Sequence, residues 1–381
     1  MVVRYHPRMI AFRYEHQVID TSLEGIDWAQ TAAADVDGDG RPEYILGRRA
    51  GEIFWYDWAD GRWTRHLLGT DSPSDVGGAA LDVDRDGWID FVTGGAWYRN
   101  SRSKDKPFER IVFDPELKAA HDIVVADIDG DGRNEVVTMS DQNNLRFYRI
   151  PEDPTKPWTR HDIGPATHAG VAVGDIDGDG HLDVARSDAW FENVDGDGSK
   201  WVEHPIGKCG GESGWEANAT RAVVCDLDGD GKMDIVMTDA EIAGGRVFWM
   251  ENLDGRGTRW KRHDLPHSDQ DRRGAYHSLI VRDFDGDGAL DVFSCEMEWI
   301  RGSRTPRWYI WQNLDGKGTS WREHVILDAN LGGHEAVCAD FDGDGVEEIV
   351  AKPWTAHRQN AVGGKMHVTW LRLARRHEFA A

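Results

Sequence analysis

The chain has 381 residues, 44 basic against 68 acidic, for a formal net charge of −24 with histidine neutral. That surplus excludes a general nucleic-acid binder, which needs a basic footprint for phosphates. A hydrophobic share of 40% with 18 Trp excludes disorder, and no run of 18 apolar residues exists to cross a membrane as a helix.

In chain order, the first predicted element is a strand, Tyr14-Glu15-His16-Gln17-Val18-Ile19. The pattern Asp-x-Asp-x-Asp-Gly-x-x-Asp/Glu then recurs seven times. Its acids are Asp35, Asp37, Asp39 and Glu43; Asp82, Asp84, Asp86 and Asp90; Asp127, Asp129, Asp131 and Glu135. There follow Asp175, Asp177, Asp179 and Asp183; Asp226, Asp228, Asp230 and Asp234; Asp283, Asp285, Asp287 and Asp291; and finally Asp340, Asp342, Asp344 and Glu348. The copies are spaced by about 51 residues, the size of a four-stranded propeller blade. Carboxylates at positions 1, 3, 5 and 9 with Gly at 6 offer a cage of hard oxygens on a sharp turn. That donor set favours Ca²⁺ over the stricter octahedron of Mg²⁺.

Apolar stretches flank each loop, such as Ile123-Val124-Val125-Ala126 before and Glu135-Val136-Val137 after. A third strand ends in Asn, as in Trp97 to Asn100, Trp190 to Asn193, Trp249 to Asn252 and Trp311 to Asn313. A fourth pairs Trp with His: Trp63 and His66, Trp158 and His161, Trp201 and His204, Trp260 and His263, Trp321 and His324. Asp-Gly turns such as Asp254-Gly255 join third to fourth strands, a strong hairpin signal. The chain ends on a third-type strand, His367 to Trp370. The N-terminal strand, which carries the fourth-strand His, is therefore expected to complete the last blade. The predicted fold is an all-β, seven-bladed β-propeller of four-stranded antiparallel blades with Asp-x-Asp-Gly-Asp-Gly calcium loops. It forms one domain over residues 1–381, with loops starting at 35, 82, 127, 175, 226, 283 and 340.

These loops resemble the FG-GAP/VCBS repeat family over essentially the whole chain, which implies the propeller and up to seven structural Ca²⁺. That family includes integrin heads, lectins, polysaccharide lyases and dehydratases, so fold does not choose a function. A narrower resemblance, carried by His334-Glu335-Ala336-Val337-Cys338-Ala339-Asp340, is to the propeller of the aldos-2-ulose dehydratases. It implies elimination of water from a sugar. The chain shows no trace of the cupin domains that those enzymes append.

Function is sought where the repeat breaks. Calcium loops and Asp-Gly turns share one face, so the other holds the irregular segments 206–220, 239–246, 267–277, 296–307 and 351–366. The fourth-strand histidines, with His16, read as packing residues. His121, His277 and His334 instead stand six residues before a loop Asp, and His168 stands seven before. They open innermost strands, where several blades converge on one axis. Tyr276 precedes His277, Glu335 follows His334, and Glu296, Trp299, Arg301, Lys352, Trp354 and His357 follow second strands on that face.

Two chemistries fit. Histidine and glutamate suit Zn²⁺ or Mn²⁺ with positions left for substrate. Alternatively His277 or His334 is a general base with Tyr276 as acid. The expected catalytic set is His277, His334, Tyr276, His121, His168 and Glu296. The expected substrate contacts are Glu335, Trp299, Arg301, Lys352, Trp354 and His357. The reading is a carbohydrate lyase or dehydratase acting by β-elimination on a uronate-containing glycan or keto-sugar. The alternative is a non-catalytic lectin-like or protein-interaction propeller. No Gly-x-Ser-x-Gly elbow, P-loop or dinucleotide fingerprint occurs. Cys209, Cys225, Cys295 and Cys338 form no metal motif and read as thiols, with Cys209 the exposed one. Residues 1–12 lack the apolar core of a signal peptide. Calcium argues for an extracellular or periplasmic setting if a leader was removed, and a complete chain would be cytoplasmic.

Overall fold

The structure, a computed structural model, describes residues 12–74, 76–207, 219–268, 273–298 and 305–373. Its 28 strands form seven four-stranded antiparallel sheets, six in simple sequential order and the seventh completed by the N-terminal strand. The expected seven-bladed propeller is the observed fold. The first strands, from blade 1 to blade 7, are Trp28–Ala34, Ala79–Leu81, Ala120–Ala126, Ala172–Gly174, Thr220–Cys225, Ile280–Arg282 and His334–Ala339. First strands of adjacent blades lie against one another, as Trp28–Ala34 does against His334–Ala339, so they line the central channel. The last blade closes as predicted. Tyr14–Asp20 pairs antiparallel with Val368–Leu373, placing the N-terminal strand on the outer edge of blade 7.

Seven apolar clusters each join two adjacent blades, one at every junction. Third-strand aromatics build them, and the recurring fourth-strand His stacks on the same rings. Ring centroids are 4.2 Å apart for Trp55 and His66, 4.5 Å for Trp190 and His204, and 4.5 Å for Trp249 and His263. The Asn that ends the third strand staples neighbours. Asn193 Nδ2 donates to the Ile128 carbonyl one blade back at 2.8 Å, and its Oδ1 accepts from Gly198 N at 2.9 Å. Asn252 repeats this to Ile176.

Closure carries a pH dependence. His367, 1% exposed, stands just before the last strand with Nδ1 against Thr369 Oγ1 at 3.1 Å. Burial, with His16 nearby, lowers its pKa to about 4. Its contribution to stability is complete above the unfolded value near 6.5 and is lost as pH falls toward 4. The full loss is about 3 kcal/mol. His367→Gln should therefore flatten the fall in urea midpoint between pH 7 and about pH 5 in saturating calcium. An equal fall in variant and wild type would exclude His367 as the cause.

Candidate active site

A strand normally sends successive side chains to opposite faces. Two bulges change that at the channel mouth away from the Asp loops, because the ladder shifts register between Ala120 and Asp122 and between His334 and Val337. Consecutive side chains then reach the axis together, His121 with Asp122 and His334 with Glu335. Glu335 sits at φ +60°, and Ala119 and Ala275, two residues before His121 and His277, also have positive φ. Non-glycine backbone of this kind persists where surrounding structure over-determines it, commonly at functional sites.

Four imidazoles converge there. Ring centroids lie 4.5 Å apart for His121 and His168, 6.0 Å for His121 and His277, and 3.7 Å for the stacked pair His277 and His334. Glu241 Oε1 meets both His168 Nε2 and His277 Nε2 at 3.2 Å. His121 Nδ1 faces Asp122 Oδ2 at 3.1 Å, and His168 Nδ1 faces Asp141 Oδ1 at 2.7 Å. Arg221 of blade 5 reaches across to pair with Asp122 and Glu335 and donates to His277 Nδ1 at 3.1 Å.

Electrostatics divides the imidazoles. Burial, reinforced by Arg221, lowers the His277 pKa to about 4. Burial also pushes His334 well below its ordinary value and lowers His121. Burial opposes charge on His168 too, but hydrogen bonds with Asp141 and Glu241 outweigh it and raise the pKa to about 9. Asp122 is held low against burial mainly by Arg221, and Glu241 by its two histidines.

Among the expected site residues, the fold brings together His121, His168, His277, His334 and Glu335, with Trp354 half-buried 5.2 Å from His334. Others lie apart. Alternation turns Tyr276 away from His277 into the junction of blades 5 and 6, its hydroxyl 3.3 Å from His267 Nδ1. Glu296 accepts from Gly274 N, Arg307 N and Arg273 Nη1 and braces the blade 6 loops. Lys352 is 0% exposed, its Nζ donating to the Ala29 carbonyl at 2.9 Å and to the His334 carbonyl at 2.5 Å. It links blade 7 to blade 1 instead of facing the channel. His357 accepts only locally from Gln359 N at 3.4 Å. Trp299, Arg301 and Cys209 lie outside the described residues. Cys225, Cys295 and Cys338 are free thiols.

Sequence reasoning missed Asp122, Asp141, Arg221 and Glu241. A signal existed for two of them. Asp122, Arg221 and Glu335 share one register, five residues before the loop Asp, where other blades carry Gln30, Gly77, Gly170 and Ser278.

Two donor sets could take metal, each with ligand atoms within 4.8 Å of one another: His121, His168 and Glu241, and His277, His334 and Glu335. The first set fits a divalent transition metal. Asp122 and Asp141 orient each ring by Nδ1, leaving Nε2 for a ligand, the usual outer-shell arrangement around metal-bound histidine. The Asp loops fit calcium. In blade 1 the first Asp accepts from Gly38 N and Gly40 N, and buried oxygens Asp84 Oδ1, Asp127 Oδ1 and Glu348 Oε1 have no hydrogen-bond partner. Position 4 takes positive φ throughout, which Arg85 alone adopts with a side chain, at +58°. The position 9 acid is buried and also holds the backbone. Asp183 accepts from Ile176 N and Asn193 N, each at 2.9 Å.

Comparison with known proteins agrees with the repeat. The FG-GAP-like repeat family matches residues 20–93, 127–186, 226–294 and 283–351. Aldos-2-ulose dehydratase from Phanerodontia chrysosporium is 30% identical over 166 residues, covering 36% of this chain and 18% of that enzyme. The chain thus spans under a fifth of that relative's length. Among solved structures, BBS1N in complex with ARL6DN, soaked with mercury, is similar with TM-score 0.58 at 10% identity, over 96% of this chain and 99% of that one. YCF48 bound to D1 peptide is similar with TM-score 0.50 at 12% identity, over 99% and 97%. At such identities the likeness is one of fold. Family matches over more than half of the chain, carried on seven repeated blades, establish that this protein belongs to the FG-GAP-like repeat family.

Proposed function

We propose that this propeller is a carbohydrate-directed carbon–oxygen lyase, a dehydratase or glycan lyase, working by β-elimination on a keto-sugar or uronate at the channel mouth. Calcium fills the seven Asp loops as a structural ion. One divalent ion of the Zn²⁺ or Mn²⁺ class is held by His121, His168 and Glu241. The carrying observation is the convergence of four imidazoles from four blades, three buried and His168 half-buried, with Glu241 meeting His168 and His277 and Arg221 meeting His277. A repeat left to packing alone has no reason to break in that way. The partial likeness to a dehydratase supports the same class.

An ion held by His121, His168 and Glu241 would supply Lewis acidity toward a substrate carbonyl or carboxylate oxygen next to the carbon that loses its proton. His334 is the residue left to take that proton, being neutral with a buried Nδ1 that has no hydrogen-bond partner. Trp354 beside it presents an indole face to a sugar ring. His277 positions Glu241, because Arg221 donates to its Nδ1 and leaves Nε2–H for the carboxylate. A lectin-like role would be served by exposed aromatic platforms and needs no buried charge network.

Incubation with aldos-2-uloses and with uronate oligosaccharides should produce ultraviolet absorbance from a new conjugated double bond. A folded, metal-loaded chain that yields none with either substrate class would overturn the proposal.

A further inference from the structure

We infer that the Arg221 guanidinium stands in the place of a second metal ion and limits the central site to one divalent ion. The inference rests on the reading that His121, His168 and Glu241 hold that ion.

The two donor sets have the same composition, two histidines and a glutamate, and they adjoin through Glu241, which meets a histidine of each. They differ in what the chain has placed among them. Arg221 Nη2 lies against two of the three donors in the second set, Glu335 Oε1 and His277 Nδ1. Its Nη1 pairs with Asp122, the carboxylate that orients His121 in the first set. A guanidinium only donates, so His277 Nδ1 must accept and its lone pair is engaged. A fixed positive charge within hydrogen-bond distance of these donors repels a divalent ion strongly in a buried setting.

Arg221 is itself buried, and only blade 5 carries a cation at this register. Removing the charge would leave Asp122 and Glu335, two buried or half-buried carboxylates, beside His277 and His334 with no compensating cation. An uncompensated buried carboxylate is costly, and coordination of a metal by these carboxylate and imidazole donors relieves it. Neutralising Arg221 should therefore let His277, His334 and Glu335 hold a second ion beside the first.

The test uses the full chain in excess calcium, equilibrated with Mn²⁺ and dialysed, with manganese counted by mass spectrometry and examined by electron paramagnetic resonance. A His121→Ala, His168→Ala chain gives the background from the Asp loops. Wild type should hold one Mn²⁺ above background with an uncoupled spectrum. Arg221→Met should hold two with a spin-coupled spectrum, and Arg221→Lys, which keeps the charge, should hold one. Arg221→Gln is read in parallel so that a folding defect in the Met variant does not decide the outcome. One ion in wild type and in both neutral variants, or two in wild type, would overturn the role of Arg221 alone. No ion above background in wild type would remove the metal reading as well.

Discussion

Stripping calcium from the full chain is expected to lower its melting temperature by tens of degrees at pH 8. Each loop brings carboxylates together whose charge the protein alone does not neutralise. The burden falls on the position 9 acids, which are 0–3% exposed. Burial, with the neighbouring loop acids adding to it, raises Glu43 and Glu348 to about 8 and Asp90, Glu135, Asp183, Asp234 and Asp291 to about 7. A carboxyl with a raised folded pKa contributes stability fully below its unfolded value near 4, and that contribution is lost as pH rises through 7 to 8. The chelated chain should therefore weaken progressively between pH 5 and pH 8, while the calcium-loaded chain stays nearly flat. Mass action sets the scale: an ion at a hundred times its Kd adds about 2.7 kcal/mol, so a few loops match the roughly 5–15 kcal/mol of an ordinary domain. Calorimetry with and without a chelator at both pH values decides it. An unchanged melting temperature at pH 8 would remove calcium from the fold.

The blades were legible because their signals are local and repeated. Seven Asp loops, the Trp and Asn of third strands and the His of fourth strands fix the period, and a fourth-type strand at the N-terminus announces how the ring closes. The site was half legible. His121, His168, His277 and His334 stand out by interrupting the repeat. Glu335 is read beside them as the neighbour of His334, but Asp122 is not, because period-two alternation assigns the residue after His121 to the other face. The bulges that bring them inward leave no mark in Ala120–Ala126 or His334–Ala339. Tyr276, which adjacency to His277 makes attractive, instead packs into the junction of blades 5 and 6. Glu241 arrives from a loop, and only the channel geometry shows that it meets blades 4 and 6.

The assignment of roles within the site makes a crossed prediction. His334→Ala is expected to lower the elimination rate by about 10³-fold, within the range for losing a general base, while leaving metal affinity unchanged. Asp141→Asn is expected to do the reverse. Asp141 accepts from His168 Nδ1 at 2.7 Å and holds that ring in place, so its loss frees the ring to turn. Loss of such an outer-shell carboxylate costs about 10–100-fold in metal affinity, and saturating metal should restore most of the rate. Stability should separate these from a third variant. Asp122→Ala removes one of the two carboxylates that pair with the buried Arg221 and should depress the melting temperature before any kinetic effect is read. Rates, metal titrations and melting curves on the three chains test the scheme together. If His334→Ala loses metal, or if excess metal fails to rescue Asp141→Asn, then holding the ion and moving the proton are not divided between the two ends of the cluster.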